Sequence, residues 1–429
     1  MDKVMRVGII GLGGFAGWHH NSVQRLEAEG QCKLVCTCDP VPDNFKKEMS
    51  DWEFEKRGVQ VFTDYITMLD KCQKDLDMVV IPTPVPLHAE MHKTCVERGI
   101  PIWLEKPPTV DYAQLDEMLA VEKRAVKATR VGFNFIADPV RQEIKKRIMS
   151  GEFGPIKKVC CHGLSERYVS YYRRAPWAGR LMMGDQLILD SCMSNAMGHS
   201  VFNTLFWAGQ KDLLSWAEIT SVDAELYRAH DIEGVDTVFL KASTKEGIPI
   251  ELAMSHTGAG GHDIYESVVC ENAVIKYILY PVDKREYQIH WNDGRVEKGK
   301  NGEPSNELQL DLRLAAYFDY LRGKVDRPLI RLIDSKPFVH ICDLVYIAAK
   351  KITTVAPEYL EIIDVPAEST TAVGVDKIEA VVDEFFKSGR FPSQQGVAWG
   401  RPGGSATTAD LPKLRETVLA MVQERKYSC

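Results

Sequence analysis

The stretch Val7-Gly8-Ile9-Ile10-Gly11-Leu12-Gly13-Gly14-Phe15-Ala16 decides the fold of the first part of this 429-residue chain. Val7 to Ile10 form an apolar run that predicts a buried strand, and a helix is expected from Ala16 to Ala28. The turn between them matches G-x-G-x-x-G/A, with Gly11, Gly13 and Ala16 in the small positions. Gly11 permits the tight turn, Gly13 lets the backbone approach a diphosphate, and Ala16 lets the helix lie close to the sheet. The helix start then offers N–H groups to phosphates, so Gly14 and Phe15 join the expected dinucleotide contacts.

A carboxylate closes the second predicted strand. The apolar run of residues 32–38 ends in Asp39, which can accept hydrogen bonds from both ribose hydroxyls and would repel a 2′-phosphate. Pro40-Val41-Pro42 follows with no arginine or serine, so the sequence favours NAD over NADP. Incidental glycines are the alternative explanation of the turn, but the order strand, turn, helix, strand and acid disfavours it.

Two further apolar runs reach the same edge of the predicted sheet. Residues 77–81 form a buried strand that Pro82-Thr83-Pro84 ends, because proline cannot extend a sheet. After a helix over residues 89–98, the strand of residues 100–104 delivers Glu105-Lys106-Pro107 to that edge, where cofactors bind in such folds. The cofactor contacts expected here are Pro82, Thr83, Pro84, His88, Glu105 and Lys106.

These motifs resemble the Gfo/Idh/MocA family of NAD(P)-dependent sugar and cyclitol oxidoreductases. The resemblance is carried by GIIGLGGFA, Asp39, VVIPTPVPLHAE, EKP, Gly132-Phe133-Asn134-Phe135, Arg141 and residues 150–154, and it spans about residues 4–210. It implies a Rossmann domain followed by an α/β domain with an open, mostly antiparallel sheet. It also implies that Lys106 contacts the substrate and the nicotinamide ribose, and that Asn134 is a cofactor contact.

The second half of the expected site departs from the family. Members carry G-G-G-x-x-x-D-x-x-x-H, whereas this chain allows two registers. One places Asn195 and His199 on the aspartate and histidine, four apart on one helix face, with Asp190 or Ser191 as the helix cap. The other places Asp190 on the aspartate and loses the histidine to Ser194. We prefer the first register because it keeps the imidazole and the helix that ends near Gly209.

In that register the expected chemistry is hydride transfer. His199, with an ordinary pKa of about 6.5, takes the hydroxyl proton near neutral pH, and Lys106 stabilises the developing alkoxide. Asn195 can hydrogen-bond a hydroxyl but carries no charge, so it cannot raise the basicity of His199. The competing interpretation of His199 is a packed histidine on an apolar helix, and that of Lys106 is a solvated lysine.

A dense group of aromatic and basic residues precedes this segment. Aromatic rings stack on sugar faces and arginines donate to hydroxyl or carboxylate groups, although the same composition is typical of a subunit contact. The resemblance places Trp177 near the cofactor, and His256 ends an alternating strand before the loop expected at residues 258–261. The substrate contacts proposed from the sequence are Lys106, Arg167, Tyr171, Tyr172, Arg174, Asn195, His199 and His256.

Composition bounds the remaining possibilities. A chain with 45% hydrophobic residues and this length can fill two cores, and its net charge of -7 argues against nucleic-acid or anionic-membrane partners. Eleven irregularly spaced cysteines suggest reduced thiols and a cytoplasmic protein. No apolar run approaches the about 20 residues of a membrane span. No motif has metal-ligand spacing, so no metal is expected.

The expected domains are residues 1–135 as the Rossmann NAD-binding domain, 136–363 as an α/β substrate-binding and oligomerisation domain, and 364–429 as an extension. The extension combines one amphipathic helix (Ile378, Val381, Val382, Phe385 and Phe386) with a Gly/Pro/Ser-rich arm. A homodimer or homotetramer is expected from the resemblance, because the open sheet face needs covering.

The resulting hypothesis is an NAD-dependent oxidoreductase for a sugar, sugar derivative or cyclitol. Two alternatives remain open at this point: an enzyme that retains and recycles NAD during epimerisation, elimination or glycoside cleavage, and a non-catalytic sensor of NAD or sugar.

Overall fold

The structure, a computed structural model, describes residues 2–302 and 306–428 and divides into two compact units. The first unit comprises residues 2–109, 113–137 and 306–336, and the second comprises residues 110–112, 138–302 and 337–428. In the described residues the strands are β1 (Met5–Ile10), β2 (Cys32–Cys38), β3 (Gln60–Phe62), β4 (Met78–Ile81), β5 (Ile102–Leu104), β6 (Arg130–Val131), β7 (Ile156–Glu166), β8 (Met182–Met183), β9 (Gln186–Leu187), β10 (Ile219–Arg228), β11 (Thr237–Thr244), β12 (Ile250–Ser255), β13 (Thr257–Cys270), β14 (Ala273–Tyr280), β15 (Glu286–Trp291), β16 (Val296–Lys300), β17 (Thr353–Thr354), β18 (Leu360–Val365), β19 (Thr370–Val375) and β20 (Gly404–Thr407). The α-helices are α1 (Phe15–Ala28), α2 (Lys46–Asp51), α3 (Phe54–Arg57), α4 (Tyr65–Cys72), α5 (His88–Glu97), α6 (Tyr112–Glu122), α7 (Pro139–Met149), α8 (Gly198–Ala208), α9 (Asn306–Leu321), α10 (Lys336–Ala349), α11 (Ile378–Ser388) and α12 (Leu414–Ser428).

The first unit is built on a parallel six-stranded sheet in the order β3-β2-β1-β4-β5-β6. This is the doubly wound order of a Rossmann fold, whose crevice opens at the carboxyl ends of the strands where the order reverses, beside β1. The apolar runs of β1 and β4 are fully buried, as expected of strands covered on both faces. The predicted fold class of this part is confirmed.

Helix α9 completes the core of the first unit although it lies far along the chain. Leu314, Tyr317 and Phe318 are buried in the cluster that contains Val7 and Trp103. The Tyr317 hydroxyl oxygen lies 2.9 Å from the carbonyl oxygen of Ile102 and 3.2 Å from that of Ala128, so its single proton can be donated to either carbonyl. The sequence analysis expected three domains, each continuous in the chain, with α9 in the second. The structure differs because the apolar face of α9 packs against α1 and the sheet, which places this helix in the first unit.

The second unit contains a mixed sheet in the order β16-β15-β14-β13-β7-β12-β11-β10-β17, with β20 paired to β10. The β7–β12 and β10–β17 pairs are parallel and the other pairs are antiparallel, which confirms the mostly antiparallel sheet. Residues 258–261, expected as a flexible loop, lie inside β13 as a bulge. Thr257 pairs with Glu166 and the next paired residue, His262, lies opposite Ser165.

Both faces of the central strand β7 are covered. On one face, a Cβ added to Gly163 would lie 2.6 Å from the sulfur of Met197, just before α8. On the other face, Leu164 belongs to the cluster of α11 residues, and the His162 ring lies 6.1 Å from the Phe386 ring. The amphipathic helix predicted from the sequence therefore covers this face within a single chain.

The tail is packed rather than an extended arm. Phe391 and Trp399 are buried, and the Trp399 ring lies 5.1 Å from the Tyr227 ring. Strand β20 pairs with β10, and a second tail helix, α12, follows it. The sequence prediction of an arm was wrong because a short Gly-rich edge strand gains its stability from β10 and not from its own composition.

Among residues 2–302 and 306–428, no helix is long and apolar enough to cross a membrane. The ten cysteines in these ranges are buried and unpaired.

Candidate functional site

The glycine-rich turn joins β1 to α1 in the geometry that the motif predicts. Gly11 and Gly14 have φ values of 119° and 59°, in the region that favours glycine. A Cβ on Gly13 would lie 2.8 Å from the Phe45 ring, so only glycine fits beneath that ring. The first turn of α1 carries no acidic residue, and its backbone N–H groups and dipole therefore favour a bound phosphate. Phe45 was not anticipated from the sequence.

Asp39 is fixed beside this turn by two backbone donors. Its Oδ2 accepts from the N–H of Leu12 at 3.2 Å, and its Oδ1 accepts from the N–H of Val41 at 3.0 Å. Each carboxylate oxygen keeps further acceptor capacity, which the two hydroxyls of a ribose can use. The glycine turn and Asp39 thus offer the backbone donors and the carboxylate acceptor that the diphosphate and ribose of a dinucleotide require.

Glu105 anchors the segment that carries Lys106. Its Oε1 accepts from Nε2 of His19 at 2.9 Å and from Nε1 of Trp103 at 3.0 Å, while its Oε2 accepts from the Lys106 N–H at 3.3 Å. Burial alone would raise the pKa of Glu105, but these hydrogen bonds and the charges of His19 and Lys106 hold it below its usual value. A Cβ on Gly132 would lie 2.5 Å from Oε1, so glycine is required there.

The geometry therefore gives Glu105 a positioning role. The Glu105 side chain is 8% exposed, whereas Lys106 is half-buried at the end of β5. The carboxylate fixes the backbone from which the Lys106 ammonium extends.

His88 ties together the two loops that follow β4 and β5. Its Nε2 lies 2.8 Å from the carbonyl oxygen of Thr83, and its Nδ1 lies 3.0 Å from that of Pro107. The side chain is fully buried, and burial lowers its pKa. His88 therefore supports the loops that contain Pro82, Pro84 and Lys106, and any effect on a cofactor runs through their backbone.

Asn134 is also held by a buried partner in the first unit. Its Oδ1 accepts from Arg313 of α9, and Arg313 also donates to Gln309 at 2.5 Å. The pairing fixes the orientation of the amide, because the oxygen must face the guanidinium. Arg313 lies nearly 180 residues away, so the sequence offered no signal for it.

In the second unit, Asn195 and Asp190, the two candidates for the family's aspartate position, are joined by a hydrogen bond. The Asn195 Nδ2 donates to Oδ1 of Asp190 at 2.8 Å, and the N–H of Gly179 donates to Oδ2 at 2.7 Å. Arg174 lies 3.7 Å from the same Oδ2. Asp190 is nearly buried, so its charge is balanced by these donors and by the guanidinium.

The helix expected to carry both Asn195 and His199 is divided. Residues Cys192–Ala196 form a π-helical turn, and α8 begins only at Gly198. Ser191 caps the turn, since its Oγ accepts from the Ser194 N–H at 3.0 Å, and α8 ends before Gly209. The expectation of a single helix face was wrong, and of the two predicted caps, Asp190 or Ser191, Ser191 caps the π-helical turn and not α8. The predicted end of the helix near Gly209 agrees with the structure. His199 is half-buried in the first turn of α8.

Arg174 organises the aromatic residues of the preceding segment. Its guanidinium lies 3.7 Å from the centre of the Tyr171 ring and 4.6 Å from that of Trp177. The Arg167 guanidinium also lies near this ring, 4.9 Å from the centre of Tyr171. Cation–π contacts of this kind restrict the motion of an arginine side chain. Arg174 thereby links two predicted contact residues, Tyr171 and Trp177, to the carboxylate of Asp190.

A second polar group surrounds His256. The Tyr172 hydroxyl lies 2.6 Å from Nδ1 of His256. Burial raises the pKa of Tyr172 and lowers that of His256, so the phenol donates to a neutral imidazole. The proton then lies on Nε2 of His256, which is buried and has no hydrogen-bond partner in the part of the chain that the structure describes. An unsatisfied buried donor is unusual and is typical of a site that receives a further polar group.

One pair in this group was missed by sequence analysis. Nδ1 of His230 lies 2.8 Å from Asp236, and the His230 ring lies 4.8 Å from the Tyr172 ring. The six-residue separation of His230 and Asp236 across a strand connection was the available signal. In the described ranges no group of three or more His, Cys, Asp or Glu residues is arranged to hold a metal ion.

Comparison with known proteins finds a family match for the first unit's N-terminal part. Residues 5–133 match the family described as "Oxidoreductase family, NAD-binding Rossmann fold", the Gfo/Idh/MocA group. Over these residues the chain is similar to the Gfo/Idh/MocA family. The match covers the glycine turn, Asp39 and Lys106, so this part of the resemblance drawn from the sequence is confirmed.

Curated relatives carry the names of cyclitol dehydrogenases. Inositol 2-dehydrogenase 4 of Saccharopolyspora erythraea is 29% identical over 163 residues, which are 38% of this chain and 46% of the relative. The scyllo-inositol 2-dehydrogenase (NAD(+)) of Bacillus subtilis is 30% identical over 158 residues, 36% of this chain and 43% of the relative. The chain thus matches less than half the length of either relative.

Solved structures share the fold over most of the chain. The WlbA dehydrogenase of Chromobacterium violaceum, in complex with NADH and UDP-GlcNAcA, has a TM-score of 0.65 and 21% identity, covering 81% of this chain and 94% of that one. A levoglucosan dehydrogenase in complex with NADH has a TM-score of 0.65 and 16% identity, covering 80% and 95%. At these identities the likeness concerns the fold.

Proposed function

We propose that this protein is a member of the Gfo/Idh/MocA family and an NAD-dependent oxidoreductase that acts on a hydroxyl carbon of a sugar, sugar derivative or cyclitol. The observation that carries the proposal is Lys106, held at the carboxyl end of β5 by buried Glu105 in the unit that also contains the glycine turn and Asp39. The names of the curated relatives, inositol and scyllo-inositol dehydrogenases, support a polyol substrate.

The first unit would hold NAD with residues already placed for it. The N–H groups at the start of α1 would bind the diphosphate, and Asp39 would accept the ribose hydroxyls. A 2′-phosphate would bring negative charge against the Asp39 carboxylate, so NAD is preferred over NADP in this proposal. Bound NAD would supply the hydride acceptor.

The protein residues manage the proton and the charge. As the C–H and O–H bonds of the carbinol break, His199 takes the hydroxyl proton and the carbon becomes a carbonyl. The Lys106 ammonium donates to the oxygen while it carries negative charge. Asn195 accepts a hydrogen bond from a substrate hydroxyl at its Oδ1, while one of its Nδ2 protons is donated to Asp190.

The aromatic and basic residues of the second unit would bind the sugar. Tyr171, with Arg174 stacked on it, offers a ring face, and the Nε2 proton of His256 is a donor that lacks a partner in the described residues. Arg167, Tyr172 and Trp177 complete this proposed surface. Assembly into a homodimer or homotetramer and a cytoplasmic location remain predictions from the sequence.

Asn195 motivated the alternative in which NAD is retained and recycled. The carboxylate of Asp190 lies one hydrogen bond from Asn195, so Asp190, five residues earlier in the chain, supplies the negative charge that Asn195 lacks. This pairing favours net oxidation over recycling.

A substrate panel tests the proposal. The purified chain is mixed with NAD, or separately with NADP, and with myo-inositol, scyllo-inositol, levoglucosan, glucose and UDP-linked sugars, and NADH absorbance is followed. Net reduction of NAD by at least one polyol, with weaker use of NADP, is expected. Native mass spectrometry of the same sample measures retained cofactor. Tightly held NAD with no net NADH would instead support recycling, and no reaction with any compound and no bound NAD would refute the proposal.

A further inference from the structure

The second unit contains a cavity that shares Tyr172 with the proposed sugar-binding surface but otherwise has a lining of its own. Its volume is about 710 Å³, within the range of about 300–1,000 Å³ typical of small-molecule sites. Its walls come from three parts of the chain: residues 169–180, the connection at residues 229–233, and the C-terminal elements β18, β19 and α12.

The tail builds one wall of this cavity and is fastened there. Arg425 of α12 lines the cavity, and its Nη2 lies 2.5 Å from Oδ1 of Asp231. At the beginning of the same helix, Arg415 donates to the carbonyl of Asp185 at 2.8 Å. The extension beyond residue 363 is thus part of the cavity wall.

The charges around the cavity do not balance. Arg173, Arg180 and Arg425 line it together with two acids, Asp231 and Glu233. Asp231 is paired with Arg425, as described above.

Glu233 is satisfied elsewhere. Its carboxylate accepts from the N–H groups of Leu181 and Met182 at 2.7 and 3.2 Å. Within residues 2–302 and 306–428, neither Arg173 nor Arg180 forms a side-chain hydrogen bond or an ion pair. Both side chains are exposed at the cavity, so their guanidinium groups can reach an anionic ligand there.

The remaining lining is suited to a small amphipathic molecule. Val169, Ile232 and Val373 provide apolar surface, and the Tyr172 and Thr371 side chains provide hydroxyl groups. The cavity is larger than a lone inorganic anion requires, so a ligand of sugar size fits it. Guanidinium groups recognise phosphate and carboxylate in two-point contacts.

We propose that this cavity binds an anionic sugar, in which a phosphate or carboxylate group is held by Arg173 and Arg180. Tyr172 connects the cavity to His256 through its hydroxyl, so an occupant would lie one hydrogen bond from the polar group described above. The proposal concerns binding and does not depend on hydride transfer.

Titration calorimetry on the full chain tests it with glucose 6-phosphate, glucuronate, neutral glucose and inorganic phosphate. At least one of the two charged sugars is expected to bind at least tenfold more tightly than glucose. The loss of two charge-assisted contacts in Arg173→Ala/Arg180→Ala should weaken that binding by roughly tenfold or more. Which charged sugar binds distinguishes a phosphate ligand from a carboxylate ligand.

A matched control separates the site from general electrostatics. Arg295→Ala/Lys298→Ala removes two exposed positive charges from the β15–β16 region of the same unit and should leave the affinity unchanged. Melting temperatures verify that both variants fold.

The proposal would be overturned if neither charged sugar binds, or if charged and neutral sugars bind with equal affinity. It would also be overturned if inorganic phosphate binds as tightly as the sugar, or if both double variants lose affinity equally. Because turnover is not measured, failure of the redox function would leave these results unchanged.

Discussion

The pairing of Asp190 with Asn195 makes a prediction that exchange of the two side-chain types can test. In Asp190→Asn the charge is lost, and an amide group faces the Nδ2 of Asn195. The N–H of Gly179 can still donate to the new amide oxygen, but Asn195 must rotate its amide by half a turn to keep a hydrogen bond.

The magnitude follows from the two contacts. Hydrogen bonds to a charged group contribute about 1.5–3 kcal/mol each, and neutral ones about 0.5–1.5 kcal/mol. Weakening the Gly179 contact and losing or reversing the Asn195 contact should lower the free energy of unfolding by about 2–4 kcal/mol. The reversed amide also presents N–H where the substrate would meet Oδ1, so we expect turnover to fall about tenfold or more.

The converse change, Asn195→Asp, places a second carboxylate 2.8 Å from the first, and the repulsion should be similarly destabilising. The double variant Asp190→Asn/Asn195→Asp restores one donor and one acceptor with their positions exchanged. It should therefore recover at least half of the lost stability, because the pair and not either residue is required.

Urea unfolding of the four proteins at neutral pH gives the double-mutant cycle, and steady-state turnover is measured on the same samples. The predicted coupling energy exceeds about 1 kcal/mol. Stability losses that add within about 0.5 kcal/mol would show that the contact has no energetic role and would refute the reasoning.

Three further predictions follow from other parts of the structure. Asp39→Ser should weaken NAD binding about tenfold or more and reduce the preference for NAD over NADP. The preference is measured as the ratio of kcat/KM for the two cofactors, and an unchanged ratio would contradict the role given to Asp39. Phe385→Ala should lower the free energy of unfolding by about 3–5 kcal/mol in urea titrations, because the ring is buried against the sheet. The control Val282→Ala changes an exposed residue and should lower it by less than about 0.5 kcal/mol. Equal effects of the two changes would contradict the packing of α11. Burial lowers the pKa of His20 to about 3 and lowers that of His256 below its ordinary value, whereas the unfolded chain binds protons at both residues below about pH 6.5, so stability should fall as the pH drops below 6.5. The His20 contribution should be about 1.4 kcal/mol per pH unit down toward pH 4, and His20→Gln should remove it. Stability that is constant from pH 7 to pH 5 would contradict this.

The sequence predicted the first unit well because its signals are local. Strand β1, the glycine turn and α1 are contiguous, and Asp39 lies directly at the end of the next strand. The positions of Glu105 and Lys106 follow from the rule that parallel strands end at one edge. The buried partners of these residues, His19 on Glu105 and Arg313 on Asn134, depend on tertiary packing and left no local pattern.

The second unit was predicted less completely because long-range pairing determines it. Residues 258–261 read as a loop from composition, but pairing with β7 on either side includes them in β13. Similarly, β20 is stable only against β10. The choice between two registers around Asp190 and Asn195 could not be made from spacing, because a π-helical turn brings both residues together and divides the expected helix.

The central claim is that the Lys106 ammonium stabilises the substrate oxygen while NAD oxidises the substrate. It is tested most directly by comparing Lys106→Met with Lys93→Met, an exposed lysine of α5 in the same unit, for turnover of the active polyol and for NAD affinity by calorimetry. We predict that Lys106→Met loses at least about 100-fold in kcat, binds NAD within a few-fold of the native chain, and that Lys93→Met behaves as the native chain. Equal turnover in the two variants, or loss of NAD binding as the whole cause of inactivity in Lys106→Met, would contradict the account.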